Sequence, residues 1–158
     1  MIITERSLLR IEPMSESEMR NMCERYRVSD PELSSAYAEM LDGCISHPDE
    51  FVWYACHKIS FADGTFVGDL CFKGMPAAGD PEIGYGILDE YQGRGYATEA
   101  VRAACKWALE QPGVVAVSAE AEADNAPSLR VLEKVGFVPT GEIGAEGPRF
   151  RLRRVTNE

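Results

Sequence analysis

Two glycines, Gly93 and Gly95, stand two residues apart in the stretch DEYQGRGYATEA, residues 89–100, beside Gln92, Arg94 and Tyr96. An alanine-rich run that reads as helix follows at once. A helix start carries free N–H groups and a positive dipole end. Glycines ahead of it let the chain curl until several N–H groups point at one centre, a cradle for phosphate. A tight turn into a helix uses the same residues, so the spacing alone leaves both readings open. The loop lacks the Gly-Lys-Ser/Thr ending of a P-loop. It has Thr98 where a dinucleotide-binding fingerprint needs a third small residue, and about half the chain precedes it.

The elements around the loop follow from pattern. LLRIEPM, residues 8–14, reads as a strand closed by Pro13. A helix opens near Ser15 with a serine cap and an acidic first turn. Ser29 or Asp30 caps a second helix, with Pro31 in its first turn and a stripe of Leu33, Tyr37, Met40, Leu41 and Cys44. FVWYACHKISF and TFVGDLCFKG flank ADG and read as a hairpin. PEIGYGIL is a further strand, with Ile83, Tyr85 and Ile87 on one face and glycines on the other.

After the loop helix, stopped at Pro112 and Gly113, VVAVSAEAE reads as a strand. DNAPSLRVLEKVG then reads as a helix capped by Asn125 and ended by Gly136. FVPTGEIG and PRFRLRRV close the order as strands. The expectation is an α/β chain forming a single domain over residues 1–158. The unit from Glu82 to Glu122 should be a parallel right-handed crossover. Arg149, Arg151, Arg153 and Arg154 read as charges that guard an edge strand.

Formal net charge is -10 over 158 residues, which disfavours nucleic acid and anionic membranes and favours cations such as protonated amines. Five cysteines without a CxxC pair read as small buried hydrophobes and fit a reduced, cytosolic compartment. His47 and His57 lack metal-ligand spacing, so no metal site is expected. The opening MIITERSLLR is read as neither signal peptide nor spanning helix.

Gln92 to Ala97 resembles the Q/R-x-x-G-x-G/A signature of the GNAT acetyltransferase superfamily. IGYGI before it, GYATEA within it and NAPSLRVLEKVGF after it resemble the ribosomal-protein N-acetyltransferase branch. The resemblance implies a single-domain GNAT fold: a mixed, mostly antiparallel sheet with a splayed parallel pair and flanking helices. It implies acetyl-CoA as co-substrate, bound by a core over residues 81–137, and an acceptor-side helical region over residues 15–50. Backbone N–H groups from Gly93 through Arg94, Gly95, Tyr96 and Ala97 to Thr98 would hold the pyrophosphate, with Gln92 in the same motif. The pantetheine arm would bond the backbone of Tyr85, Gly86 and Ile87 and pass Asn125. Arg94, Arg130 and Lys134 either meet the 3′-phosphate or are ordinary surface charges. Glu99 is a family hallmark read as structural, and Tyr96 as packing or lining the loop.

The implied reaction is acyl transfer from a thioester to a primary amine, which must lose a proton before it attacks. Carried over from the family, the base is Glu120 or Glu82, with Glu122 a weaker third and a solvated strand-end carboxylate the alternative for each. Many members place a tyrosine proton donor where this chain has Leu132. Ser128 could hydrogen-bond the sulfur instead, or simply serve the first turn of its helix. Nine acidic residues against three arginines in residues 15–50 suit a cationic acceptor, either a small amine or a protein N-terminus, although a solvated acidic surface explains them too. A homodimer stays open, and so does a non-catalytic acyl-CoA-binding module of the same fold.

Overall fold

The computed structural model describes residues 1–154. Five strands form one antiparallel sheet: β1 (Ile2–Ile3), β2 (Arg10–Pro13), β3 (His57–Ser60), β4 (Phe66–Cys71) and β5 (Gly84–Ile87), in that spatial order. Three more form a second antiparallel sheet in the order β6 (Ala116–Glu120), β8 (Pro148–Arg153), β7 (Val138–Ile143). The sheets touch through one parallel bridge, Glu82 to Ser118, where Ile83 N donates to Ser118 O and Ser118 N to Pro81 O. Beyond that bridge β5 and β6 diverge without pairing, which is the splayed parallel pair expected from the sequence.

Local chemistry sets the helices. α1 (Glu16–Tyr26) starts in a full capping box: Ser15 accepts from Glu18 N, and the Glu18 side chain accepts from Ser15 N. α2 (Pro31–Ser46) takes Asp30 as its cap, with Pro31 in the first turn where its missing N–H costs nothing. These two helices cover one face of the first sheet through Met19, Tyr37, Leu41 and Cys44. The opposite face meets α4 (Tyr96–Leu109), whose buried stripe is small: Ala100, Val101, Ala104, Cys105 and Ala108. That stripe lets the helix lie close to the strands. α5 (Ala126–Val135) runs from the Asn125 cap to Gly136 at φ 111, a left-handed stop suited to glycine.

Two expectations need correction. FVWYACHKISF is not one strand: Phe51–Tyr54 form a short helix, α3, after a turn begun by Pro48, and only His57–Ser60 are β. A short apolar run carries no period that separates the two states. The helical twist here sends Trp53 to the α4 side, where its ring centroid lies 5.1 Å from those of Phe72 and Trp107, while Phe51 packs on the α2 side. Nor is β8 an edge strand. It lies between β6 and β7, and Arg149 and Arg151 on it reach Glu120 and Asp80. Sheet order is a long-range property that strand composition does not encode. The edge falls to β7, which is exposed along its length. Val155, read as the end of the last strand, lies outside the described residues.

All five cysteines are free, three of them buried. Burial pushes the Cys105 thiol up to about 12, so it packs rather than reacts.

Candidate active site

A cleft of about 530 Å³ opens where β5 leaves β6. Its walls are Tyr85, Gly86 and Ile87 of β5, the segment from Gln92 to Thr98 apart from Arg94, and Asn125, Ser128 and Arg130 of α5. The structure thus brings together, from the stretch between Tyr85 and Arg130, all but one of the positions expected to bind the coenzyme. Lys134 also reaches the wall. Arg94 does not line it; its side chain is exposed. Tyr91, Pro127 and Val131 line the cleft and were missed. Only Val131 had a signal, being three residues beyond Ser128 on the same helical face.

The loop has the properties of an anion cradle. Gly93 at φ 76 and Gly95 at φ 82 are both left-handed, and no atom outside their chain neighbours approaches the place a Cβ would take. Here glycine is required by backbone conformation and not by crowding. Glu99 N is the first amide of the helix to find an acceptor, Gly95 O. The N–H groups from Gly93 to Thr98 have no protein acceptor among the described residues, which fits them to a pyrophosphate. Gln92 braces the turn, its amide donating to Ile87 O at 3.0 Å and Asp89 Oδ1 at 3.2 Å. Glu99 faces away from the cleft: it accepts from Thr4 and from Ser7 N, tying the N-terminal segment to α4.

At the inner end of the cleft Asn125 Oδ1 accepts from Ser128 N at 3.3 Å. The Ser128 hydroxyl and the Tyr85 phenol are hydrogen-bonded at 2.8 Å, either oxygen able to donate. Burial lifts the Tyr85 phenol above its ordinary range, the bond to Ser128 opposing in part. The hydroxyl pair therefore stays protonated near neutral pH and can donate. Leu132, at the position where the resemblance implies a tyrosine in many family members, is fully buried in the core.

The carboxylates lie on the far side of the splay. Glu120 is nearly enclosed, its side chain 5% exposed, and bonds Arg149 at 2.6 Å and Glu146 N at 3.0 Å. Glu82 bonds Lys73 at 2.6 Å, with Arg149 at 3.7 Å. Glu146, exposed on the turn between β7 and β8, completes the cluster through Lys73 at 3.5 Å. Glu122 is exposed beside them and lines a pocket of about 220 Å³ that shares Tyr85, Asn125 and Ser128 with the cleft between β5 and α5. The oxygens of Glu82, Glu120 and Glu146 come within 4.8 Å of one another, close enough to share a cation, and the ammonium of Lys73 and guanidinium of Arg149 already sit among them. No local pattern in the sequence links Lys73, Glu146 and Arg149.

Comparison with known proteins agrees with this geometry. Residues 8–138 match the family described as "Acetyltransferase (GNAT) domain". The chain is 37% identical over 73 residues to the uncharacterized N-acetyltransferase YjdG of Bacillus subtilis, a match covering 46% of this chain and 44% of that protein. It thus spans less than half the length of that relative. Among solved structures, a ribosomal-protein alanine acetyltransferase from Vibrio fischeri superposes with a TM-score of 0.72 at 17% identity, covering 98% of this chain and 97% of that one. An aminoglycoside acetyltransferase in complex with coenzyme A gives 0.70 at 17%, covering 92% and 95%. With a splayed strand pair, a glycine cradle at the start of α4 and a family match over most of its length, the chain belongs to the GNAT acetyltransferase family.

Proposed function

We propose that the protein transfers the acetyl group of acetyl-CoA to a primary amine, either a small molecule or a protein N-terminus. The observation that carries this is the run of unpaired N–H groups from Gly93 to Thr98 at the mouth of an open strand splay. Those groups would hold the pyrophosphate, with Arg130 and Lys134 near enough to meet phosphate charge. The free edge of β5 at Tyr85, Gly86 and Ile87 would pair with the pantetheine amides, beside Asn125. When bound, acetyl-CoA supplies a thioester carbonyl open to attack.

The chain's own residues then handle protons. The amine must lose one to attack, and the thiolate that leaves must be stabilised or protonated. Ser128, hydrogen-bonded to Tyr85, is the donor this reading places at the sulfur end. Glu82 and Glu120 remain proposed bases, although each carboxylate is already engaged by a cation, Lys73 and Arg149 respectively. Named relatives that act on ribosomal protein and on aminoglycoside agree with an amine acceptor and leave its identity open. A cytosolic location and a homodimeric state belong to the same proposal; fractionation checks the first and sedimentation the second. Binding to nucleic acid or membrane forms no part of it, given the net charge of -10.

One observation favours a second reading, a non-catalytic acyl-CoA sensor: Leu132 is buried and the expected bases are ion-paired. Calorimetric titration of acetyl-CoA, followed by thiol release with a panel of amines and free-amino peptides, decides. Binding with acceptor-dependent release is the expected result. Binding without release favours the sensor, and absence of binding ends both readings.

A further inference from the structure

β4 carries one carboxylate, Asp69, and it has no ion-pair partner among the described residues. Its Oδ2 accepts the Tyr37 phenol of α2 at 2.9 Å. Its Oδ1 looks the other way, across the sheet to β5. Asp69 pairs in register with Gly86, so both belong to the face covered by α1 and α2. A Cβ on Gly86 would meet a single atom within 4 Å, and that atom is Asp69 Oδ1. The same Gly86 lines the coenzyme cleft from the sheet edge. Edge strand β5 therefore presents bare backbone between the cleft and a carboxylate one strand inside the sheet.

We propose that Asp69 receives the ammonium group of the acceptor amine over Gly86 and takes the proton it must lose. This rests on the acetyl-transfer reading and names the group that orients its acceptor. The ammonium gives one proton to Asp69 Oδ1, and the lone pair this frees forms the C–N bond with the thioester carbon. As the C–S bond breaks, sulfur takes a proton from the hydroxyl pair of Ser128 and Tyr85, the second nitrogen proton passes to that pair and restores it, and Asp69 returns its proton to water.

Other charges leave this place to Asp69. Glu82 and Glu120 are bound to Lys73 and Arg149. Lys58, opposite Asp69 on β3, turns its ammonium to Glu18 at 2.8 Å. The titratable groups facing the carboxylate are Tyr37 of α2, Cys56 just before β3 and Cys71 of β4. Burial raises the Asp69 carboxyl above the ordinary aspartate range, and the Tyr37 and Cys56 bonds only partly oppose it. A raised folded-state value means that stability present at low pH is lost as the group ionises. At neutral pH the charge costs folding energy, so the fold gains nothing from ionisation here, whereas a cation placed beside it would relieve that cost.

The test uses Asp69→Asn, which keeps an oxygen for the Tyr37 hydrogen bond. Thermal midpoint, acetyl-CoA affinity, and thiol release with spermidine, with a free-amino peptide and with water alone as acceptor are measured for both proteins. Release into water needs no acceptor, so a rate is always available. Expected are a midpoint at or above that of the unaltered protein and unchanged coenzyme affinity, with release slowed about a hundredfold. That deficit should narrow as pH approaches the acceptor's own value, where the amine no longer needs the base. Butylamine added without coenzyme should shift the Gly86 amide resonance in the unaltered protein and not in Asp69→Asn. Undiminished release, or the same butylamine shift in both proteins, overturns the assignment while coenzyme binding keeps the parent reading alive. Loss of acetyl-CoA binding by the unaltered protein sinks both. Should Asp69→Asn fail to fold, Gly86→Ala leaves Asp69 and Tyr37 intact and puts a methyl at ordinary contact distance between carboxylate and cleft. It should slow release measured at saturating acetyl-CoA, and release unslowed by Gly86→Ala under that condition overturns the proposal.

Discussion

The two sides of the splay are built in different ways. On the proposed coenzyme side the polar groups are mostly backbone: amides of the Gly93–Thr98 turn and the free edge of β5, backed by the N-cap of α5. They come from three short, contiguous pieces of chain. On the other side the groups are side chains: Tyr37, Asp69, Lys73, Glu82, Glu120, Glu146 and Arg149, drawn from most of the length of the protein. A backbone site needs the right turn and little else, so its chemistry is written locally. A side-chain site needs the sheets assembled first, and each charge in it needs a partner to offset the loss of water.

Four substitutions would break or sharpen that contrast. The largest effect is expected from Arg149→Met, which leaves the nearly enclosed Glu120 carboxylate without its cation. A loss of about 3–5 kcal/mol is expected, read by chemical denaturation, with Glu120→Gln recovering part of it in the double variant. A loss below about 1 kcal/mol would mean that the acceptor side is not held by its charges. Next is Gly95→Asp, which puts a carboxylate and a strained left-handed residue into the cradle. Acetyl-CoA affinity should fall about a hundredfold by calorimetry with the fold retained. Unchanged affinity would remove phosphate from that turn.

Glu99→Gln tests the link between the halves, since Glu99 of α4 holds Thr4 and Ser7. Burial alone would raise this carboxyl, but the Thr4 and Ser7 donors outweigh it and hold it below the ordinary glutamate range. Its stabilisation is therefore present above that range and lost as pH falls through the depressed folded value. The substitution should cost about 1 kcal/mol at neutral pH and less in acid. An equal cost at both would show that charge is irrelevant there. The smallest effect belongs to the most local feature. Ser15→Ala should cost about 1 kcal/mol or less by removing one arm of the capping box, and leave coenzyme affinity untouched. Altered affinity would show that α1 and the cleft are coupled.

The legible parts of this chain are those in which a few neighbouring residues set a backbone conformation. Ser15 with Glu18, Asp30 with Pro31, Asn125 and Gly136 placed helix ends because capping is a matter of residues within one turn. Gly93 and Gly95 before an alanine-rich helix marked the cradle for the same reason. Phe51–Tyr54 misled because an apolar run has no period to read, and only packing between Phe72, Trp107 and α2 chose the helix. The arginines of β8 misled because strand composition does not state which strand lies in the middle. Glu82 and Glu120 could be named as carboxylates near the splay, but not as partners of Lys73 and Arg149. Asp69 could not be singled out at all, because what distinguishes it is the glycine opposite it on a neighbouring strand and the lack of an ion-pair partner among the described residues. Residue order thus dictates the turns, caps and cradle, where covalent neighbours fix the dihedrals. Ion pairing, sheet order and the environment of each carboxylate wait for assembly, because they depend on distances between residues far apart in the chain.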